Sequence, residues 1–158
     1  MKHSIKSGLG FGLTSGIITT LGLLIGLSVS TDSKSVVLAG IITIAVADAL
    51  SDSLGIHISQ EAEGEHSSAE IWQTTIVTFM SKLIFASTFV VPVMIFSLQI
   101  ATILSVIWAI ILLGIFSYYI SLSEKTAPWK VISEHLAIAL LVVFFSYLIG
   151  NSINSLIK

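Results

Sequence analysis

Five long apolar segments, separated by short polar ones, divide this sequence. A helix needs roughly 20 mainly apolar residues to cross the hydrocarbon core of a bilayer, and every segment reaches that length. We therefore predict an all-α polytopic membrane protein with a single transmembrane domain over residues 1–158. The predicted spans are about 8–29, 36–58, 72–96, 100–120 and 131–153, with an acidic segment at 59–70.

The composition favours a chain embedded in lipid. Hydrophobic residues make up 54% of the chain and charged residues only 10%, whereas an average soluble domain carries about 25% charged residues. The formal net charge of −2 argues against nucleic acid as a partner. Cys is absent, which excludes disulfides and thiolate metal sites. The first apolar segment runs past signal-peptide length without a small-residue cleavage site, so we interpret it as a span.

The lysines indicate an orientation, because cytoplasmic loops carry an excess of basic residues. With the N-terminus inside, the cytoplasmic face holds Lys2, Lys6, Lys125 and Lys130, and the outer face holds Lys34 and Lys158. We therefore expect a multi-pass protein of the cell (plasma) membrane with a cytoplasmic N-terminus and an external C-terminus. The acidic segment is then cytoplasmic.

Two acidic residues lie inside the second apolar segment. Asp48 and Asp52 are one helical turn apart and share a face of the helix. An ionised carboxylate in mid-bilayer costs about 2.5–3.5 kcal/mol on insertion scales, and like charges at this spacing repel. Three interpretations are open: the pair holds a transported cation, it pairs with Lys82 of the third segment, or it is solvated near the cytoplasmic surface. Solvation suits Asp52 better, because Asp48 lies roughly 15 Å from the end of the span.

Further candidate metal ligands leave the membrane along the same predicted helix. His57, Glu61 and Glu65 follow at four-residue intervals, and imidazole and carboxylate groups suit Fe²⁺, Mn²⁺ and Zn²⁺. The alternative is a solvated acidic loop. Glu134 and His135 open the fifth segment on the same predicted side. For Glu134 the alternative is an acid placed at a helix N-terminus, where the helix dipole favours it.

Small residues and a proline predict how the helices pack. The first segment carries Gly8, Gly12, Gly16, Gly22 and Gly26. Such a stripe lets another helix approach closely, and that helix belongs either to the same chain or to a second copy. Pro92 predicts a kink in the third segment near the outer face. We expect Lys82, well inside that segment, to neutralise a carboxylate, with snorkelling or repulsion of a bound cation as alternatives.

Motifs of catalysis are missing from the sequence. It contains no nucleophile elbow, no phosphate-binding loop and no HExxH pattern. We therefore expect a protein that is not an enzyme and has no permanent cofactor.

Several short motifs, taken in order, resemble the vacuolar iron transporter family. They are LTSGIITT at 13–20, VLAG at 37–40, SDSLG at 51–55, SQEAE at 59–63, FVVP at 89–92 and SYLIG at 146–150. The resemblance implies five transmembrane helices and a symmetric dimer. It also implies that Fe²⁺ or Mn²⁺ is moved out of the cytosol in exchange for protons.

The sequence departs from the family pattern at several ligand positions. The first-span Asp of the family falls on Ser15, and its second-span Met falls on Asp52. Its second-span Glu falls near Ile44, while Asp48 supplies a carboxylate one turn nearer Asp52. The large Glu-rich domain between spans two and three is missing. A carboxylate in place of a thioether makes the site harder and favours Mn²⁺, Fe²⁺ or Mg²⁺.

The leading hypothesis is a dimeric transporter of divalent metal cations. Asp48 and Asp52 are its intramembrane ligands, and His57, Glu61 and Glu65 collect metal at the cytoplasmic mouth. The possible accessory residues are Lys82, Glu134, His135 and Ser15. Two alternatives remain: a non-transporting structural membrane module with buried Asp–Lys pairing, and a transporter of another solute.

Overall fold

The structure, a computed structural model, describes residues 3–157 and is helical throughout apart from short connections. Lys2 and Lys158, used for the predicted orientation, lie outside the described residues. The helices are α1 (His3–Thr31), α2 (Lys34–Glu63), α3 (Ser68–Ser87), α4 (Val90–Ile95), α5 (Leu98–Glu124) and α6 (Pro128–Ile157). Five helical stretches are long and apolar enough to cross a membrane, with α3 and α4 together forming one of them. The predicted all-α chain with five spans is confirmed.

Local capping explains where α2 ends and α3 begins. Gly64 follows α2 with a φ of 68°, a left-handed conformation that glycine adopts without steric penalty. Ser67 then caps α3 in a capping box with Glu70, in which each side chain bonds the backbone N–H of the other. Helix α2 therefore continues past the predicted end at Ile58 and includes the first part of the acidic segment.

The third span is broken close to its proline. Helix α3 ends at Ser87 and α4 begins at Val90, with Pro92 in its first turns. Proline has no N–H to donate, so the regular i to i−4 hydrogen-bond pattern is interrupted beside it. The backbone there instead makes shorter-range bonds, such as Val91 N–H to Thr88 O at 3.3 Å. The break agrees with the kink that Pro92 predicts.

Helix α1 forms the centre of the bundle. It contacts α2, α3, α5 and α6, and it is the most buried of the five spans. Its contribution to the core consists of Leu13, Ile17, Leu21, Leu24 and Ile25. Helix α6 is the least buried span, and its apolar side chains cover the outside of the bundle.

The glycine stripe of α1 packs within the same chain. A Cβ atom on Gly8 would lie 2.6 Å from the carbonyl oxygen of Thr74, and one on Gly12 would lie 2.5 Å from that of Thr78. Both carbonyls belong to α3. Further along, a Cβ on Gly22 would meet Val142 of α6 at 2.9 Å. Of the two alternatives for this stripe, the structure shows packing against α3 and α6 rather than against a second copy.

We expect Gly12→Ala to destabilise the protein by about 1–3 kcal/mol, because the new methyl group would overlap backbone atoms of α3 that cannot move independently. Gly114→Ala is the matched control, since a Cβ there meets no described atom within 4 Å. Alanine is the better helix former, so the control should be neutral or slightly stabilising. Thermal unfolding in detergent, followed by circular dichroism, measures both. Equal melting temperatures for the two variants would contradict the packing described for α1 and α3.

Candidate functional site

A buried cluster of charged groups joins α2 and α3. The Nζ atom of Lys82 lies 2.5 Å from Oδ2 of Asp48 and also contacts Oδ2 of Asp52. The Lys82 side chain is 1% exposed, while those of Asp48 and Asp52 are 26% and 23% exposed. Of the three interpretations open for the acidic pair, the ion pair with Lys82 is the arrangement that the structure contains. We call these three residues the Asp–Lys cluster.

Ser15 ties helix α1 to this cluster. Its hydroxyl donates a hydrogen bond of 2.6 Å to Oδ2 of Asp52 and accepts one of 2.8 Å from Nζ of Lys82. One neutral side chain therefore contacts both an anion and the cation. Ser15 stands where the resembling family has an Asp, and the structure places this position directly at the charged groups.

Close packing of α1 and α3 makes room for the lysine. A Cβ atom on Gly16 would lie 3.0 Å from the carbonyl oxygen of Lys82 and 3.1 Å from its Cγ. Glycine at this position lets the lysine stem pass across α1 to reach the carboxylates on α2. The importance of Gly16 for the site was not recognised from the sequence. The one sequence feature that could have indicated it is its position next to Ser15 in the stripe of small residues.

The two carboxylates are held differently. Asp52 is hydrogen-bonded by both Ser15 and Lys82. For Oδ2 of Asp48, Lys82 is the one charged partner among the described residues, at 2.5 Å, and no second side chain donates to it as Ser15 does to Asp52. Hydrogen bonds to a charged group add directional strength to the electrostatic attraction. Asp48 is therefore the more loosely held of the two.

Asp48 also lines a cleft between α1 and α2. The cleft has a volume of about 690 Å³ and extends from Val36, near the start of α2, to Asp48 and Ser51. Its α1 wall is formed by Leu23 and Leu27. The lining is largely apolar, so Asp48 is the charged group that this cleft reaches. A cation entering the cleft would meet Asp48 before Asp52, which does not line it.

His57 occupies a different face of α2. Its Nδ1 lies 2.9 Å from Oγ1 of Thr75, and its ring packs edge-on against Trp72 at 4.7 Å. The Thr75 hydroxyl donates its own hydrogen to the carbonyl oxygen of Ile71. With the Thr75 hydrogen on Ile71, Thr75 accepts from Nδ1–H of His57, and in that neutral tautomer the ring lone pair is at Nε2.

The acidic part of the predicted ligand stripe is exposed, and the helix ends within it. Glu61 is exposed on the last turn of α2, whereas Glu65 lies beyond Gly64, where the helix has ended. The regular four-residue spacing therefore holds in three dimensions for His57 and Glu61 but not for Glu65. Among the described residues, no three His, Asp or Glu side chains form a group that could hold a metal ion.

The two residues predicted at the start of the fifth span lie on α6. Nδ1 of His135 is 2.7 Å from Oγ of Ser117, which joins α6 to α5. Glu134 is exposed. Because α6 begins at Pro128, Glu134 lies beyond the first turn, and this turn contains no acid. The interpretation of Glu134 as an acid favoured by the helix dipole is therefore wrong, since that effect is confined to the first turn.

Comparison with known proteins gives a family match for the first part of the chain. No curated protein matches the chain. The sequence model of the VIT family matches residues 9–74. This match contains most of α1, all of α2 and the beginning of α3, and thus Ser15, both carboxylates of the Asp–Lys cluster and His57. Over residues 9–74 the chain therefore matches the VIT family, the vacuolar iron transporter family that its motifs resemble.

Proposed function

We propose that this protein transports divalent metal cations across a membrane and that Asp48 and Asp52 are the ligands within the membrane. The observation that carries the proposal is a pair of carboxylates one helical turn apart inside a span, one of them lining a cleft. The match to the VIT family supports metal ion transport, and we assign no catalytic reaction to the chain. Acidic side chains within membrane spans commonly mark ion pathways.

The chemistry of the donor atoms favours a hard cation. Asp48, Asp52 and Ser15 offer only oxygen atoms, and the chain has no Cys. Oxygen ligands suit Mn²⁺, Fe²⁺ and Mg²⁺ better than softer ions. We propose Fe²⁺ or Mn²⁺ as the transported ion, with no permanent cofactor.

Proton exchange follows from the same ligands. A carboxylate binds metal in its deprotonated form, so protons and metal compete for one site. We propose export from the cytosol with protons moving the other way. The proposed orientation, with the N-terminus cytoplasmic in the cell membrane, is supported by Lys6, Lys125 and Lys130 near one end of the bundle and Lys34 near the other.

We also propose that the exposed residues at the end of α2 collect metal at the cytoplasmic mouth. Glu61 and Glu65 are exposed, and His57 has one ring nitrogen available. These residues lie on the cytoplasmic side in the proposed orientation. His135 and Glu134 are accessory in this scheme.

A symmetric dimer completes the proposal. Asp48 is 26% exposed, and its cleft opens on the surface of the single chain. A charged group open to hydrocarbon is costly. A second copy covering the cleft would remove Asp48 from lipid and leave a path between the two chains.

The first test is transport of Mn²⁺ into liposomes by the purified protein. We expect the double variant Asp48→Asn, Asp52→Asn to lose roughly 90% or more of the rate, because amides retain the shape of the carboxylates but not their charge. Asp32→Asn is the matched control. Asp32 is an exposed acid in the turn after α1 with a φ of 47°, a conformation that Asn also tolerates. Transport by the double variant at the rate of the unmodified protein would sink the site assignment.

A second candidate function is a non-transporting structural module. The observation favouring it is that the Lys82 ammonium already neutralises the acidic pair. In that case Lys82→Met should destabilise the fold about as much as loss of both Asp residues, and metal should stabilise nothing.

The two candidates differ in how metal affects thermal unfolding. For a transporter, Mn²⁺ at about 100 times its Kd stabilises the folded state by about 2.7 kcal/mol, so the melting temperature should rise by several degrees. The rise should persist in Asp32→Asn and disappear in the double variant. If Mn²⁺ leaves the melting temperature of the unmodified protein unchanged, the structural module is the better description.

A further inference from the structure

The ammonium of Lys82 occupies the position that a transported cation would take. It contacts Oδ2 of Asp48 and Oδ2 of Asp52 at the same time, and its side chain is 1% exposed. Lysine is seldom fully buried without a partner, and in this case its partners are the proposed metal ligands themselves. The carboxylate pair therefore already has a positive charge between its oxygens, and this charge is covalently attached to α3.

We propose that Lys82 is a tethered competitor of the transported cation: its ammonium fills the carboxylate pair when metal is absent and leaves these oxygens when metal binds. This inference rests on the proposed transport function and adds to it. It gives Lys82 a definite role in affinity and release. A metal that enters has to displace Lys82, and Lys82 returning to the carboxylates helps to expel the metal.

The charges require this displacement. In ionised form, the two carboxylates and one ammonium carry one net negative charge. A divalent ion bound to the same oxygens, with the ammonium still in contact, would place two cations beside each other. In the low dielectric of a membrane span such repulsion is strong. The ammonium and the metal therefore exclude each other from the pair.

The geometry provides an order of events. Among the described residues Asp48 is held only by Lys82, and it lines the cleft of about 690 Å³. In the proposed orientation this cleft runs from Asp48 toward the outer end of α2, so a cation exported from the cytosol leaves through it past Asp48. Asp52, which is also hydrogen-bonded by Ser15, lies one turn nearer the cytoplasmic end of α2, where the cation arrives.

Ser15 gives the displaced ammonium a partner. Its hydroxyl oxygen lies 2.8 Å from Nζ of Lys82 and carries no charge. The lysine can keep this hydrogen bond after the carboxylates turn to the metal. Lysine suits such movement, because its ammonium is a point charge on a flexible four-carbon stem rather than a rigid planar fork.

The experiment compares Mn²⁺ binding by the detergent-purified protein with binding by Lys82→Met and Lys82→Gln, using electron paramagnetic resonance of free Mn²⁺. We expect the Kd to fall on the order of tenfold or more in both variants, because the competing charge is gone. In liposomes, the KM for Mn²⁺ should fall as well. Lys130→Met, which removes an exposed lysine from the start of α6, is the control and should leave both values unchanged. An unchanged or higher Kd in folded Lys82 variants would overturn the competitor role.

Stability of the variants is also informative. If the Lys82 variants fold only when purified with Mn²⁺, the metal has replaced the lysine charge and the inference is supported. If both fail to fold with or without Mn²⁺, lysine is a structural counterion that metal cannot replace, and the inference is wrong. The proposed transport function is tested separately, in protein that retains Lys82. Mn²⁺ transport can depend on Asp48 and Asp52 even if the Lys82 variants bind Mn²⁺ no more tightly than the unmodified protein.

Discussion

The buried ammonium of Lys82, held between two carboxylates, is the interaction on which the membrane-spanning part of this protein depends. It places one charge from α3 against two from α2, and Ser15 extends the contact to α1. Removing the lysine alone, or the carboxylates alone, would leave an uncompensated charge in the membrane, which is strongly destabilising. A buried ion pair is nevertheless often no more stabilising than well-packed apolar residues. Stability by itself is therefore a weak reason for such a cluster, whereas the proposed role in binding a cation would account for both carboxylates.

Helix packing and site chemistry are coupled through the glycine stripe. Gly8 and Gly12 bring α1 into contact with the backbone of α3, and Gly16 brings the lysine stem across α1. In a membrane, helices associate largely by close packing, because lipid is as apolar as the side chains it replaces. The same small residues that join these helices therefore also position the ammonium. A change that separates α1 from α3 would alter the site even without touching a charged residue.

The two carboxylates of the Asp–Lys cluster differ in how firmly they are held. Asp52 is fixed by hydrogen bonds from two helices, while Asp48 faces a cleft and is contacted by Lys82 alone among the described residues. A transport site has to bind its ion and also let it go, which an entirely rigid cage would prevent. In the proposed mechanism, the tethered charge of Lys82 and the less constrained Asp48 meet these two needs.

The sequence alone was sufficient for the number of spans, for the break near Pro92 and for the acidic pair on one face of α2. These features depend on hydropathy, on the missing N–H of proline and on the helical period, all of which act within a few residues. The resemblance to the VIT family was likewise visible in short motifs, and the family match confirmed it. The metal-ligand assignments remain predictions.

Only the tertiary structure decided which partner each of these groups has. Asp52 meets Lys82 across 30 positions of sequence, and His57 meets Thr75 across 18. The glycine stripe was compatible with a second copy until the structure placed α3 and α6 against it. From the sequence alone, the acids, the lysine and the glycines could each have paired with several different partners. The choice among them was made by the packing of whole helices, because a contact between distant segments is set by the relative position of their axes and not by local residue spacing.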